Sequence, residues 1–241
     1  VQEFEQRVAD YHGVKYCIAM CNGTIALEIA IRALGLEGEV IVPSYTFIAT
    51  AHSLNWQAIT PVFADINPET HTLDPEAVRQ MITPKTTGII GVHLWGRTAD
   101  VDTLQAIADE FNLKLMFDAA HAFGVTHKQQ SILNFGDLSI LSFHATKVFN
   151  TFEGGAIICP DKKTKQRIDY LKNFGFADEV TVTAPGINGK MNELQAAMGL
   201  LQLKDFNIIL EKRKKIANRY YRNLKNINGI RVLEQKKDVT Y

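Results

Sequence analysis

Tyr16-Cys17-Ile18-Ala19-Met20-Cys21-Asn22-Gly23-Thr24-Ile25-Ala26-Leu27-Glu28-Ile29-Ala30-Ile31-Arg32-Ala33-Leu34-Gly35 changes its hydrophobic period halfway along, and that change decides the fold. Tyr16 to Met20 is a short apolar run of strand length. From Thr24 onward Ala26, Ile29, Ala30, Ala33 and Leu34 recur at i, i+3, i+4, i+7 and i+8, with Gly35 in the C′ position. A strand passes directly into a helix whose apolar face must pack on a sheet. Asn22-Gly23-Thr24 opens that helix with unpaired amide N–H groups and a positive dipole end.

The same alternation continues outward as far as Cys159, the pattern of parallel strands joined by helical crossovers. Strands are predicted at Tyr16 to Met20, Val40 to Pro43, Pro61 to Ala64, Thr87 to His93, Leu113 to Asp118, Leu138 to Phe143 and Ala156 to Cys159. Helices are predicted near Thr24 to Leu34, Thr46 to Trp56, Pro75 to Ile82 and Val101 to Phe111. The chain itself opens inside a helical pattern. After about Asp161 strands give way to helices, from Lys162 to Asn173 and from Asn192 to about Leu224, and Gly229 to Tyr241 starts a new strand. The expected architecture is α/β, a large domain over residues 1–205 with a mostly parallel seven-stranded sheet flanked by helices. Residues 206–241 are expected to begin a small C-terminal domain that is cut short.

A chain of 241 residues with 46% hydrophobic content has room for a large core. Lys plus Arg equals Asp plus Glu at 26 each, so no net charge favours nucleic acid or an anionic membrane. The run Glu211-Lys212-Arg213-Lys214-Lys215 has no interleaved aromatics and is predicted to be a solvated helix face. No apolar stretch approaches the roughly 20 residues of a membrane span. Cys17, Cys21 and Cys159 form no CxxC pair, which fits a reducing cytosol and a cytoplasmic protein. Small molecules or further copies of the chain are the expected partners.

In an open parallel sheet, ligands collect at the C-terminal ends of the strands. Gly23-Thr24 follows the first predicted strand, Asp118 ends another, and Ser142 and Lys147 follow a third. A helix-opening glycine and hydroxyl can hold a phosphate. A buried lysine whose ammonium loses its charge can attack a carbonyl. The interval between Asp118 and Lys147 leaves room for one crossover and one strand, so the two can sit on neighbouring strand ends. Phosphate cradle, carboxylate and amine at one edge suggest pyridoxal 5′-phosphate (PLP), whose ring nitrogen needs an anion and whose aldehyde needs an amine. Other readings stay open at this point. Gly23-Thr24 can simply begin a helix, and Asp118 can be a cap or an ion-pair partner. No GxGxxG motif or Walker loop is present, and a metal site of Asp118, His121 and His144 is the competitor from another class.

Beyond these residues, the motifs Cys21-Asn22-Gly23-Thr24-Ile25-Ala26-Leu27, Pro43-Ser44-Tyr45-Thr46-Phe47 and Val92-His93-Leu94-Trp95-Gly96 are followed by Phe117-Asp118-Ala119-Ala120-His121-Ala122. Ser142-Phe143-His144-Ala145-Thr146-Lys147, Glu153-Gly154-Gly155-Ala156 and Gly186-Ile187-Asn188-Gly189-Lys190-Met191-Asn192-Glu193 complete the order. This series resembles the DegT/DnrJ/EryC1/StrS sugar aminotransferases over nearly the whole chain. The resemblance implies the fold-type I PLP-dependent architecture, homodimers with shared active sites, and amino transfer from L-glutamate to a nucleotide-linked keto-deoxysugar. The stretch around Lys147 is more similar to members acting at C4 of a dTDP-4-keto-6-deoxyhexose. Lysine at position 147, where dehydratase relatives carry histidine, disfavours dehydration.

By the same resemblance, Lys147 holds PLP through a Schiff base and Asp118 partners its ring nitrogen. Phe47 stacks on the ring, and Gly23, Thr24 and Ser142 hold the phosphate. Asn188 reaches that phosphate from the neighbouring subunit, and His121 lies near the phenolic oxygen where many relatives carry glutamine. Phe117 stands where many relatives carry an acid. The rival on this fold is a noncatalytic PLP-binding sensor.

Overall fold

The computed structural model describes residues 1–233 and the backbone of residues 239–240. Seven strands form the main sheet in the order β1-β9-β8-β5-β4-β2-β3. They are β1 (Tyr16–Met20), β2 (Glu39–Pro43), β3 (Thr60–Ala64), β4 (Thr86–Val92), β5 (Lys114–Asp118), β8 (Leu138–Ser142) and β9 (Gly155–Cys159). Every pairing from β8 through β5, β4 and β2 to β3 is parallel. β9 alone reverses, pairing antiparallel with both β1 and β8.

The sheet is thus mostly parallel and seven-stranded, as expected, and the chain departs from the helical-crossover pattern at two connections. The connection from β8 to β9 contains no helix, and an irregular loop returns the chain antiparallel. The β5 to β8 connection also lacks an α-helix. It carries the short strands β6 (Thr126–His127) and β7 (Gln130–Ser131) and a 3₁₀ turn at Ile132–Asn134. β10 (Val239–Thr240) adds to β6, giving a second, three-stranded sheet. Residues 230–233 form no strand, and the remainder of the strand expected from Gly229 onward lies outside the described residues.

The helices are α1 (Gln2–His12), α2 (Gly23–Leu34), α3 (Ala49–Asn55), α4 (Pro75–Met81), α5 (Val101–Glu110), α6 (Lys162–Leu171) and α7 (Glu193–Leu224). α2 starts at an Asn22 N-cap whose side chain accepts the Ile25 N–H, and it stops at Gly35 in the left-handed conformation. α7 begins with a reciprocal capping box between Asn192 and Gln195. α3 is shorter than the predicted Thr46 to Trp56. Thr46 spends its side chain on Thr50, so Thr46 and Phe47 sit in the loop before the helix.

The pleat divides the core between the two faces. Ile18, Met20, Val40, Ile90 and Met116 pack with the apolar face of α2, Leu54 of α3 and Ile168 of α6. Cys17, Ala19, Ile41, Ile89, Leu115 and Phe117 pack on the other side with α1, α4, α5 and α7. This alternation explains Phe117. It points away from the face that Met116 shares with Asp118, and it stacks on His93 with ring centroids 4.7 Å apart. An acid there would lie in that apolar layer.

Candidate active site

Asp118 closes β5 at the centre of the sheet, and it is 6% exposed. Both carboxylate oxygens are held. Thr50 donates its hydroxyl to Oδ2 at 2.8 Å, and the Ala120 N–H donates to Oδ1 at 3.1 Å.

On the adjoining side, α2 presents its N-terminus to the end of β8. The Asn22 side chain takes the Ile25 N–H and the Asn22 carbonyl takes that of Ala26, which leaves the Gly23 and Thr24 amides at the mouth of the helix. Gly23 is required by close approach: a Cβ there would lie 2.9 Å from Cβ of Ser142. Two amides, the Thr24 hydroxyl and the Ser142 hydroxyl therefore converge where the dipole favours an anion.

Lys147 stands on the β8–β9 loop, held from within and from below. Its N–H donates to the His144 carbonyl at 2.9 Å. Phe143 and Phe149, on either side of it, are fully buried in an aromatic cluster with Phe4, Phe123 and Phe206. Burial lowers the Lys147 pKa below the usual lysine range, against the opposing pull of Asp118. His121 is also pushed down, first by burial and then by the Lys147 charge, with Asp118 opposing. Its Nδ1 accepts the Trp95 N–H at 3.2 Å, so the neutral ring carries its proton on Nε2.

Gly23, Thr24, Phe47, Asp118, His121, Ser142 and Lys147 all line one cavity of about 600 Å³. Phe47, 71% exposed, forms part of its rim. Asn188 does not join them. It is exposed on a segment bridged to Asn173 and does not line its own chain's cavity. Asp118, His121 and His144 share the cavity, yet among the described residues no group of three or more His, Cys, Asp and Glu side chains is placed to hold a metal.

A second cavity of about 620 Å³ shares His121, Ser142 and Lys147 with the first and is bounded by Trp95, Arg213 and Lys214. The basic run on α7 is largely solvent-exposed, as expected, but two of its cations also face this space. Sequence reasoning also passed over Thr50, Thr46 and Glu153. Glu153 lies 3.4 Å from His144 Nε2, and the only signal for it was its place beside Gly154-Gly155.

The model of the DegT/DnrJ/EryC1/StrS aminotransferase family matches residues 1–240. The chain is 49% identical over 232 residues to a dTDP-4-amino-4,6-dideoxy-D-glucose transaminase of Shigella dysenteriae, covering 96% of the chain and 63% of that relative. A transaminase of the same name from Escherichia coli is 47% identical, with 96% and 62% covered. The crystal structure of DesI in the presence of its TDP-sugar product superposes with a TM-score of 0.93 at 45% identity, over 97% of this chain and 60% of that one. The chain thus spans somewhat less than two thirds of the length of these relatives. With strand order, ordered motifs and clustered side chains in agreement, the chain belongs to the DegT/DnrJ/EryC1/StrS aminotransferase family.

Proposed function

We propose that this chain is the cofactor-binding part of a PLP-dependent aminotransferase that moves an amino group from L-glutamate to C4 of a dTDP-4-keto-6-deoxyhexose. The observation that carries the reading is the convergence of Lys147, Asp118 and the α2 N-terminus on one cavity. The residues fit the cofactor. The missing Cβ of Gly23 lets Ser142 approach the start of α2, so that two amides and the Thr24 and Ser142 hydroxyls can be offered together to a phosphate. Asp118 supplies a buried, doubly anchored carboxylate for the ring N–H, Phe47 an apolar ring, and His121 an Nε2 proton for the phenolic oxygen.

PLP supplies an electron sink that makes the Cα proton of a bound amino compound labile. Lys147 would hold the cofactor through its amine, and that amine, once free, would be the group placed to take up and return the substrate's Cα proton. Its lowered pKa favours the neutral amine that both roles need. Asp118 would face the cofactor's ring nitrogen and favour positive charge there. Arg213 and Lys214 on the adjoining cavity suit the diphosphate of a nucleotide-linked sugar, and relatives named for a dTDP-4-amino sugar favour that substrate. The free thiols of Cys17, Cys21 and Cys159 fit a reducing cytoplasm.

We further infer a homodimer with shared sites. Leu194, Leu201 and Ile208 repeat at seven-residue intervals along α7 and are 84%, 58% and 58% exposed, an apolar stripe suited to burial against a second copy. Asn188 then completes the partner's phosphate site.

The test is titration of full-length protein with PLP, followed by absorbance before and after L-glutamate. Borohydride reduction and mass spectrometry locate the attachment. The expected result is a visible band lost on glutamate addition, a label on Lys147, and restoration of the band by dTDP-4-keto-6-deoxyglucose with formation of the amino sugar. A label elsewhere would overturn the lysine assignment. A band indifferent to every amino donor would replace the enzyme with a noncatalytic binder.

A further inference from the structure

Thr50 is fully buried in the first turn of α3 and does not line the cavity, yet its hydroxyl touches the group at the centre of the site. Its Oγ1 lies 2.8 Å from Asp118 Oδ2 and 2.9 Å from Thr46 Oγ1. An ionised carboxylate only accepts, and a hydroxyl has one proton to give. Thr50 therefore donates to Asp118, and Thr46 must donate to Thr50. The direction of the relay is set: Thr46 to Thr50 to Asp118, starting at a hydroxyl on the cavity wall.

The torsion that turns an aspartate's carboxylate plane is broad and roughly two-fold. The Ala120 N–H on Oδ1 alone leaves that plane loosely held. A second donor on Oδ2, from a different element, pins it. Thr50 is itself immobilised, since Ser53 Oγ donates to its carbonyl at 3.1 Å within α3. We propose that Thr50 is a positioning residue: oriented by Thr46, it locks the Asp118 carboxylate in the plane that meets the cofactor's ring nitrogen. This rests on the PLP reading above and adds to it a residue that never meets cofactor or substrate.

The decisive comparison is among wild type, Thr50→Val, which keeps the shape and removes the hydroxyl, and Thr50→Ser, which keeps the hydroxyl. Each full-length protein is titrated with PLP, and the circular dichroism of the bound cofactor band reports ring orientation. Thr50→Val is expected to weaken PLP binding about tenfold or more, the loss associated with one hydrogen bond to a charged group, and to alter the dichroic band. Thr50→Ser is expected to stay within about threefold of wild type with the band unchanged. Equal affinity and an identical band in Thr50→Val would overturn the proposal, as would a Thr50→Ser loss as large as that of Thr50→Val. Should the valine variant not fold, Thr50→Ala against Thr50→Ser decides by the same criteria. A wild-type protein that binds no PLP would sink the cofactor reading itself, and this proposal with it.

Discussion

Lys147 sits where loss of water from its ammonium outweighs the attraction of Asp118, so the amine loses its proton below the usual lysine range. Lys147→Ala should remove the covalent attachment and lower transamination by about 10²–10⁴-fold, with far-UV dichroism unchanged; full activity in that variant would refute the role. Asp118→Asn should keep the shape of the site and most of the cofactor while kcat falls about 10²-fold or more, as measured in single-turnover reactions with glutamate. His12 gives a pH signature of a different kind. Its Nδ1 donates to the Val8 carbonyl at 2.9 Å and its Nε2 accepts the Gly124 N–H at 3.2 Å, so only the neutral ring satisfies both. Burial, opposed by the Val8 bond, lowers its pKa from 6.5 to about 4. Its contribution is thus complete above the unfolded value and disappears as pH falls from 6.5 through about 4. Urea unfolding should register a loss of up to about 3 kcal/mol across that window, and His12→Gln should flatten it. Lys147, Asp118 and Ser142 were legible in the sequence because each ends or follows an apolar run. Thr50 and His12 were not, since their partners, Asp118 and Gly124, lie far along the chain and only the fold brings them together.

The β8–β9 loop bears Lys147 without any regular structure of its own, and two features hold it in shape. Phe143 donates its N–H to the Gly154 carbonyl and accepts that of Thr151, closing the base of the loop. Below it, Phe149 stacks on Phe123 with ring centroids 4.1 Å apart and meets Phe4 of α1 and Phe206 of α7. The loop that carries Lys147 thus rests on helices from both ends of the chain. Phe149→Ala should cost about 3–5 kcal/mol of stability in denaturant unfolding. Where the variant stays folded, amide exchange across residues 144–150 should accelerate more than exchange in β5. Uniform acceleration would mean the aromatic layer supports the whole sheet rather than the loop. Strand positions were readable because apolar runs of that length, bounded by turns, have few alternatives; β1 starts and ends where the pattern places it. Strand direction was not. Gly155–Cys159 is as apolar as its parallel neighbours, and its reversal follows only from the lack of a crossover helix between β8 and β9.

The whole chain leaves one expected participant outside its own site. Asn188 is exposed and apart from the cavity, on a segment anchored to the edge of β1 by the Cys21 N–H bond to the Gly189 carbonyl at 2.9 Å. If a two-fold axis brings that edge against a second copy, each site draws Lys147 from one subunit and Asn188 from the other. Composition and spacing carry no trace of such sharing, because an interface residue is an ordinary polar surface residue until its partner is present. Subunit mixing tests it directly. Lys147→Ala and Asn188→Ala proteins, each weak alone, are combined, unfolded, refolded and assayed. In a shared-site dimer, each heterodimer has one doubly altered site and one fully wild-type site. Random pairing makes half the dimers mixed, so activity should recover to about a quarter of the wild-type level. If Asn188 serves its own chain, every site in the mixture keeps one defect and no recovery follows. The two architectures therefore differ in whether mixing raises activity above that of the separate proteins, and the gap is widest when Asn188→Ala by itself leaves little activity, which the unmixed controls measure.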